Sequence, residues 1–307
     1  TPRTIDALAS EVDRPLLVLG AGPSLEECAP FLRRQRERVR VIAVDTALPY
    51  LLHIGVVPDM LVSMDAQQLN VKDLLPLPPP GIKLLYDATA APSFLRKFPF
   101  EDRYAYISHF AEGSIWVRLG EAGINLPRVE AGGSVGTTAL LLADRLRRSG
   151  GNSGLPILLG GLDFAFRPGL PHARMTYTHI LTLCRMERLA PLPFLPPHLS
   201  RHRVDAPDKR GGTILTDYVL AGYGAQLRTG AGRFENVYDL SREGVDLGLP
   251  GLQLEGAEEM VVETSADSTG ELSAAYPGTG RQEAPPDGGV DPEAVERFRR
   301  GEREALK

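Results

Sequence analysis

The sequence predicts an α/β fold: a Rossmann-like, doubly wound, mostly parallel sheet with helices on both faces. Three observations predict it. Short apolar runs alternate with amphipathic stretches from residue 15 to about residue 263. Several of the runs are apolar on both faces, as strands are when helices cover both sides of a parallel sheet. Two helix starts are glycine-rich, "LGAGPSLEE" and "EAGGSVGTTA".

The elements follow in chain order. Residues 1–14 read as an N-terminal leader with helical character. "PLLVLG" (15–20), "VRVIAVD" (39–45), "DMLVSMD" (59–65), "KLLYD" (83–87), "RYAYIS" (103–108) and "PILLGGLD" (156–163) read as strands, each bounded by turn residues. Helices fit between them over 24–37, 46–54 and 134–149. "LPLPPPG" (75–81) and "LAPLPFLPP" (189–197) suit neither helix nor central strand, because proline lacks an amide proton. The second lies in a 165–212 insertion, expected to form a lid or mobile loop. Residues 15–263 therefore read as one Rossmann-like domain that carries the 165–212 insertion. Beyond them, 264–307 is polar and rich in Pro, Gly and Ser, and reads as a disordered tail. Its last stretch, "DPEAVERFRRGEREALK", fits a short helix at the start of a truncated C-terminal region.

Composition narrows the function classes. The 307 residues are 43% hydrophobic, enough for a sizeable core, and carry a net charge of -5. That balance argues against nucleic acid as a partner. Cys28 and Cys184 are the two cysteines, without CxxC spacing, so no metal or disulfide framework can be built from them. A reducing, cytoplasmic setting fits. The first residues show no signal-peptide pattern. No apolar run approaches the roughly 20 residues of a membrane span.

Three groups of residues can carry chemistry. In the first glycine-rich turn, Gly20 and Gly22 let the backbone turn sharply after a strand, and Pro23 follows. Ser24 and Glu27 have capping-box spacing, so the helix is expected to begin there. A strand end, exposed amides and a helix N-terminus together favour an anion. Leu25 stands where a dinucleotide fingerprint needs its third glycine, while Asp45, at the end of the next strand, stands roughly where a ribose partner would. The same turn equally suits a bare strand-to-helix junction with a good cap. In the second group, Gly133, Ser134 and Val135 open another helix, with Ser134 at the cap. Both starts can lie at the carboxyl edge of the sheet, where open α/β folds bind ligands.

The third group is a set of acids at strand ends: Asp45, Asp65 and Asp163, with Asp87 as a fourth. Asp65, Gln67 and Asn70 fall close together in "SMDAQQLN". They suit ribose hydroxyls or a base edge, a Mg²⁺ ion, or simply the caps of following helices. Among the six histidines there is no HExxH, so zinc is not expected. His172, in "RPGLPHARMTYTH", follows the Asp163 strand by a short loop and is a general-base candidate, or a surface histidine. Lys209 and Arg210 in "DAPDKRGGT" could neutralise phosphate or belong to a solvated loop.

"LGAGPSLEE", "AVDTALPYLLHIGVVPDMLVSMDAQQLN", "GGSVGTTALLLA" and "LLGGLDFAF", in this order, resemble the central domain of the motility accessory factor family, flagellin glycosyltransferases. The resemblance covers roughly 15–260, and "GVVPDMLVSMDAQ" is its most specific part. It implies an enzyme that moves a nonulosonic, sialic-acid-like sugar from a CMP carrier to flagellin Ser or Thr, with no cofactor or metal required. The domain is also similar to small bacterial sialyltransferases. That similarity puts Gly20, Gly22, Pro23 and Ser24 along the CMP phosphate and ribose. It puts Asp45 near the nucleotide, Gly133, Ser134 and Val135 at the donor carboxylate or phosphate, and Asp163 at the pocket wall. The general base falls on His172 or His202. A second relative, the archaeal 6-hydroxymethylpterin diphosphokinases, shares the first motif and implies ATP with Mg²⁺. For that reading a denser acid cluster after the third strand is expected. A third reading is a flagellin-binding assembly factor without catalysis, since fold does not fix function.

Overall fold

The computed structural model describes residues 2–75, 77–108, 113–167, 170–184, 186, 188 and 203–267. Its centre is a nine-stranded sheet. The strands are β1 (Arg3–Thr4), β2 (Leu16–Leu19), β3 (Arg40–Val44), β4 (Met60–Ser63), β5 (Lys83–Asp87), β6 (Arg103–Ser108), β7 (Arg128–Val129), β8 (Ile157–Gly160) and β11 (Val237–Asp239). The order is β1-β6-β5-β4-β3-β2-β8-β11, with β7 paired to β6. Every pairing in it is parallel. All six strands expected from the sequence are present.

Strands β2, β3, β4 and β8 are almost wholly buried. Hence their uninterrupted Leu, Val and Ile runs: a strand covered on both faces has no polar side to show. The helices are α1 (Ala29–Gln35), α2 (Leu48–His53), α3 (Pro92–Leu95), α4 (Gly113–Glu121), α5 (Val135–Ser149), α6 (Tyr177–Cys184), α7 (Tyr218–Gly230) and α8 (Leu254–Asp267). Helix α5 packs across β2, β3 and β4, while α1 packs against α8. The 24–37 helix begins as a 3-10 turn at Pro23–Cys28 before α1. The 46–54 helix likewise begins as a 3-10 turn at Asp45–Ala47 before α2.

Two boundaries differ from the sequence reading. Residues 3–11 are built into the sheet domain: β1 adds to β6, and Ile5 and Leu8 of the following 3-10 turn are fully buried. Their polar surroundings hide an i, i+3 apolar pair. At the other end α8 runs on to Asp267, four residues past the expected boundary at 263. Residues 268–307 lie outside the described residues. Within 165–212 the described part contains α6 and β9 (Arg203–Pro207); β9 pairs antiparallel with β10 (Thr213–Asp217). Helix α7 packs on this hairpin. The 189–197 proline run lies outside the described residues.

From β2 the chain winds outward through β3 to β6, then returns to place β8 on the other side of β2. The winding reverses between β2 and β8. Parallel sheets of this kind open a crevice there, at the carboxyl ends of the strands.

Candidate functional site

The crevice holds a cavity of about 160 Å³. Gly20–Gly22 of the β2 turn, Asp45 and Thr46 after β3, Ser134–Gly136 at the start of α5 and Gly161–Ala165 after β8 line it. Pro171, His172 and Leu220 complete the wall. The two glycine-rich helix starts, distant in sequence, thus meet at one sheet edge.

Glycine is required where the two strand ends touch. A Cβ on Gly20 would collide with the Gly161 carbonyl, and one on Gly22 would lie 2.6 Å from Asp163 Oδ2. At the second start Gly133 has φ +78, and a Cβ there would also lie 2.6 Å from the Tyr223 ring of α7. Its backbone conformation and its space both demand glycine.

The two helix starts are not equivalent. At the first, the amides are already used. Gly22 N–H donates to Gly161 O at 2.8 Å, Ser24 N–H to Asp163 Oδ2 at 2.8 Å and Leu25 N–H to Gly22 O at 3.0 Å. Pro23 has no amide proton. Ser24 is fully buried and its hydroxyl donates to Asp163 Oδ1. The expected capping box does not form: Gly22 is the N-cap, and Glu27 pairs with Arg167 at 2.7 Å. Asp163 occupies the place of the anion that such a turn attracts.

The second start is open. Ser134 caps α5, its Oγ accepting from Thr137 N at 3.0 Å. Among the described residues no acceptor takes the amides of Val135 and Gly136, the first two residues of a 15-residue helix. First-turn amides have no intrahelical acceptor, and the helix dipole adds positive potential there.

Asp163 is the end of a buried polar chain. Ser24 Oγ lies 2.9 Å from Ser241 Oγ, which accepts from Gly161 N at 3.2 Å. A hydroxyl has one proton; Ser24 gives its proton to the carboxylate, so Ser241 supplies the other link. Ser241 N donates to Asp239 Oδ1 at 2.9 Å, and Lys209 Nζ forms an ion pair with Asp239 Oδ2 at 2.8 Å. Burial pushes the Asp163 carboxyl up to about 6, against the pull of Lys209 and of the Ser24 hydrogen bonds. The same burial, with Asp163 and Asp239 nearby, raises the Cys28 thiol to about 12. Asp239, Ser241 and this role of Lys209 had no signal in the sequence, because they come from a loop remote from the motifs.

The acids separate by role. Asp45 is 1% exposed; its Oδ1 accepts from Thr46 N at 2.8 Å, while Oδ2 has no hydrogen-bond partner. Burial lifts it to about 6 against the pull of the Ser63 hydroxyl and of Thr46, and Asp65 adds to the rise. Asp73, not anticipated, is lifted to about 8 by burial and by the charges of Asp45 and Asp65. Asp65 accepts a hydrogen bond from Asn70 Nδ2, and Gln67 is exposed. Asp65, Gln67 and Asn70 are not in the cavity wall; they sit beyond Asp45 on the β4 loop. Asp87 is structural: it accepts from Thr89 N at 2.8 Å and from Ser108 N at 2.7 Å. Phe164, beside Asp163, holds φ 45, and Thr216 Oγ1 donates to its carbonyl at 2.6 Å. That backbone conformation is uncommon for a bulky residue and turns the chain out of β8 into the cavity wall.

His172 lies in the wall, on a loop held over the β2 turn. Ala173 N donates to Ala21 O at 2.8 Å, and Arg174 pairs with Glu26 at 2.6 Å. His202 lies outside the described residues. His179 is not in the wall; its Nδ1 accepts from Met175 N at 3.1 Å, and burial lowers its pKa.

A family model described as 6-hydroxymethylpterin diphosphokinase MptE-like matches residues 2–169. The chain belongs to this MptE-like family. An uncharacterized protein of Treponema pallidum (strain Nichols) is 32% identical over 163 residues, 53% of this chain and 27% of that protein. A second uncharacterized protein of the same organism is 39% identical over 54 residues, 18% of this chain and 26% of that protein. The chain therefore spans about a quarter of the length of these relatives. A solved structure, the Maf glycosyltransferase from Magnetospirillum magneticum AMB-1, superposes with a TM-score of 0.55 at 16% identity. The match covers 83% of this chain and 37% of that one, and shows a shared fold. Within the MptE-like family, then, this chain shares its fold with that Maf glycosyltransferase. No described helix is long and apolar enough to cross a membrane.

Proposed function

We propose that the domain is a glycosyltransferase that takes a CMP-activated nonulosonic sugar and transfers it to a flagellin Ser or Thr hydroxyl. One observation carries the reading: Val135 and Gly136, whose amides have no acceptor among the described residues, line the same cavity as His172 and Asp45. The architecture of the Maf glycosyltransferase supports it.

Breaking the bond from anomeric carbon to phosphate builds positive character on carbon and negative charge on the departing CMP. The α5 amides and dipole stabilise that charge without reorganising. Asp45, with a free buried oxygen, accepts a hydrogen bond from a ribose hydroxyl. His172 takes the acceptor hydroxyl's proton. Asp163 holds the β2 turn in place through Ser24 and needs no contact with the donor.

A second reading, the diphosphokinase activity in the family's description, gains from Asp73. It supplies the denser acid cluster that "SMDAQQLN" lacks. Yet no three His, Cys, Asp or Glu side chains among the described residues converge as metal ligands. The described residues do not preform a magnesium cage. An ion arriving on nucleotide phosphates needs only one or two carboxylates, and Asp45 is the acid with a free oxygen for it.

Calorimetry with CMP, CDP, UDP, ATP and GTP, with Mg²⁺ and with EDTA, separates the readings. EDTA-insensitive CMP binding that Val135→Pro weakens supports the transferase. Proline is tolerated at the first helical position, and Ser134, at φ -123 and ψ 158, already has the conformation a pre-proline residue needs. Binding of ATP alone, dependent on Mg²⁺ and abolished by Asp45→Asn, overturns it in favour of the kinase. No nucleotide binding by the folded chain overturns both and leaves an assembly factor.

A further inference from the structure

A second and larger cavity, about 390 Å³, opens beyond the end of β11. It shares no lining residue with the crevice and stands behind the Asp163–Ser241 wall. Its size falls within the usual range for small-molecule sites, roughly 300–1,000 Å³. We propose that it is a ligand site in its own right, for a small molecule with an apolar body and one phosphate or carboxylate group.

The lining has two parts. Leu240, Leu247, Leu249 and Leu252 supply apolar surface, and Lys209, Arg210 and Arg242 supply cations. Apolar walls with a few fixed polar groups are how small-molecule sites are usually built.

The charges decide the class of ligand. Asp239 is neutralised by Lys209 at 2.8 Å, and Asp246 by Arg228 at 2.9 Å. Arg210 pairs with Glu243 at 2.7 Å, and Glu243 is shared with Arg167 at 2.9 Å. Arg242 is different. Its hydrogen bond goes to a neutral group, Gln253 Oε1, at 2.8 Å. Each acid in the lining thus has its cation, and one guanidinium is left over at an exposed position. A guanidinium binds carboxylate or phosphate through paired N–H groups, and displacing one amide contact costs little. Arg210 stands beside it, its Nε donating to the Arg242 carbonyl at 3.3 Å. Lys209 is held at the back by its ion pair, its side chain 10% exposed.

The sequence reading of Lys209 and Arg210 as phosphate-neutralising residues is thereby relocated. They serve this cavity, not the crevice. The inference does not depend on the glycosyltransferase reading.

The test is calorimetric titration of inorganic phosphate into the full chain at low ionic strength, with Arg242→Gln and Val135→Pro as the two variants. Arg242 is exposed, so its substitution leaves the core intact, and thermal unfolding verifies this. Loss of one charge-assisted contact is expected to weaken this site about tenfold in Arg242→Gln. Val135→Pro is expected to remove any phosphate held at α5 and to leave the component that depends on Arg242. An unaltered isotherm in Arg242→Gln, or no phosphate binding by the wild type, overturns the proposal. So does loss of all phosphate binding in Val135→Pro, which would place the anion at α5 alone.

Discussion

Asp45→Asn is expected to make the protein more stable at pH 8 while damaging the crevice. Asp45 is buried, with one oxygen satisfied by Thr46 and the other unpartnered. Its carboxyl titrates near 6 in the fold, against 3.8 for the unperturbed group. The folded state therefore holds the proton more tightly than the unfolded chain. The stability this gives is fully present below pH 3.8 and is lost as pH rises through 6. A rise of about two units corresponds to at most ~3 kcal/mol, at ~1.4 kcal/mol per unit. Asparagine keeps the acceptor for Thr46, carries no charge, and places an amide near the Ser63 hydroxyl, which in the wild type pulls the carboxyl's pKa down. Removing the charge also relieves Asp73, which Asp45 helps to raise. Urea unfolding of wild type and variant at pH 4 and pH 8 checks this. The variant should gain about 1–3 kcal/mol at pH 8, and the gap should shrink towards pH 4. A variant less stable than wild type at pH 8, or a gap independent of pH, would refute the burial argument. A stability gain coupled to loss of nucleotide binding is the mark of a strained functional group.

Gly133→Ala forces φ +78 on a residue with a Cβ and drives that carbon against Tyr223. A loss of about 1–3 kcal/mol is expected in chemical unfolding, with weaker nucleotide binding because the α5 start shifts. Asp163→Ala leaves Ser24 N–H and Oγ–H buried without their acceptor and Lys209 beside a reduced acid pair. About 3–5 kcal/mol should be lost, read as a lower urea midpoint at pH 7.5. His172→Ala should keep CMP affinity within about twofold and cut sugar transfer by about 10²–10⁴; a parallel loss of binding would make His172 a contact residue instead. Cys28, with its thiol raised to about 12, should resist alkylation in the native protein at pH 8 and react only on unfolding. Mass mapping of the labelled peptide reads this directly.

The sheet was legible because its strands are buried on both faces, so "LLVL" and "ILLG" carry no competing helical period. The site was legible by motif and not by mechanism. Glycines marked both helix starts, but a glycine cannot say whether the amides beside it are free. Asp163 reaches Ser24 across 139 residues, a distance at which local patterns are silent. Local spacing instead suggested a capping box between Ser24 and Glu27. Tertiary contacts overrode it by giving Ser24 to Asp163 and Glu27 to Arg167. Asp73 escaped notice because it lies eight residues beyond Asp65, on a 3-10 turn that brings it back beside Asp45. Ile5 and Leu8 escaped notice because two apolar residues are too few to show a period.

The contrast between the two helix starts bears on how the crevice can act. A turn capped by an internal carboxylate is fixed before any ligand arrives, since Asp163 supplies the negative charge the turn would otherwise await. Its partner at Ser134 keeps two amides free and is backed by a helix more than twice as long as α1. Under the proposed function one start is therefore scaffold and the other the anion receptor. That division places the first glycine-rich turn in the role of holding β2 against β8, so that Gly20 and Gly161 can touch. Under the proposed function it leaves charge stabilisation to α5. Any reaction that develops negative charge in the crevice, phosphate departure or phosphate transfer alike, should develop it against Val135 and Gly136. A substitution at Ser24 should then act on folding, and one at the α5 start on binding.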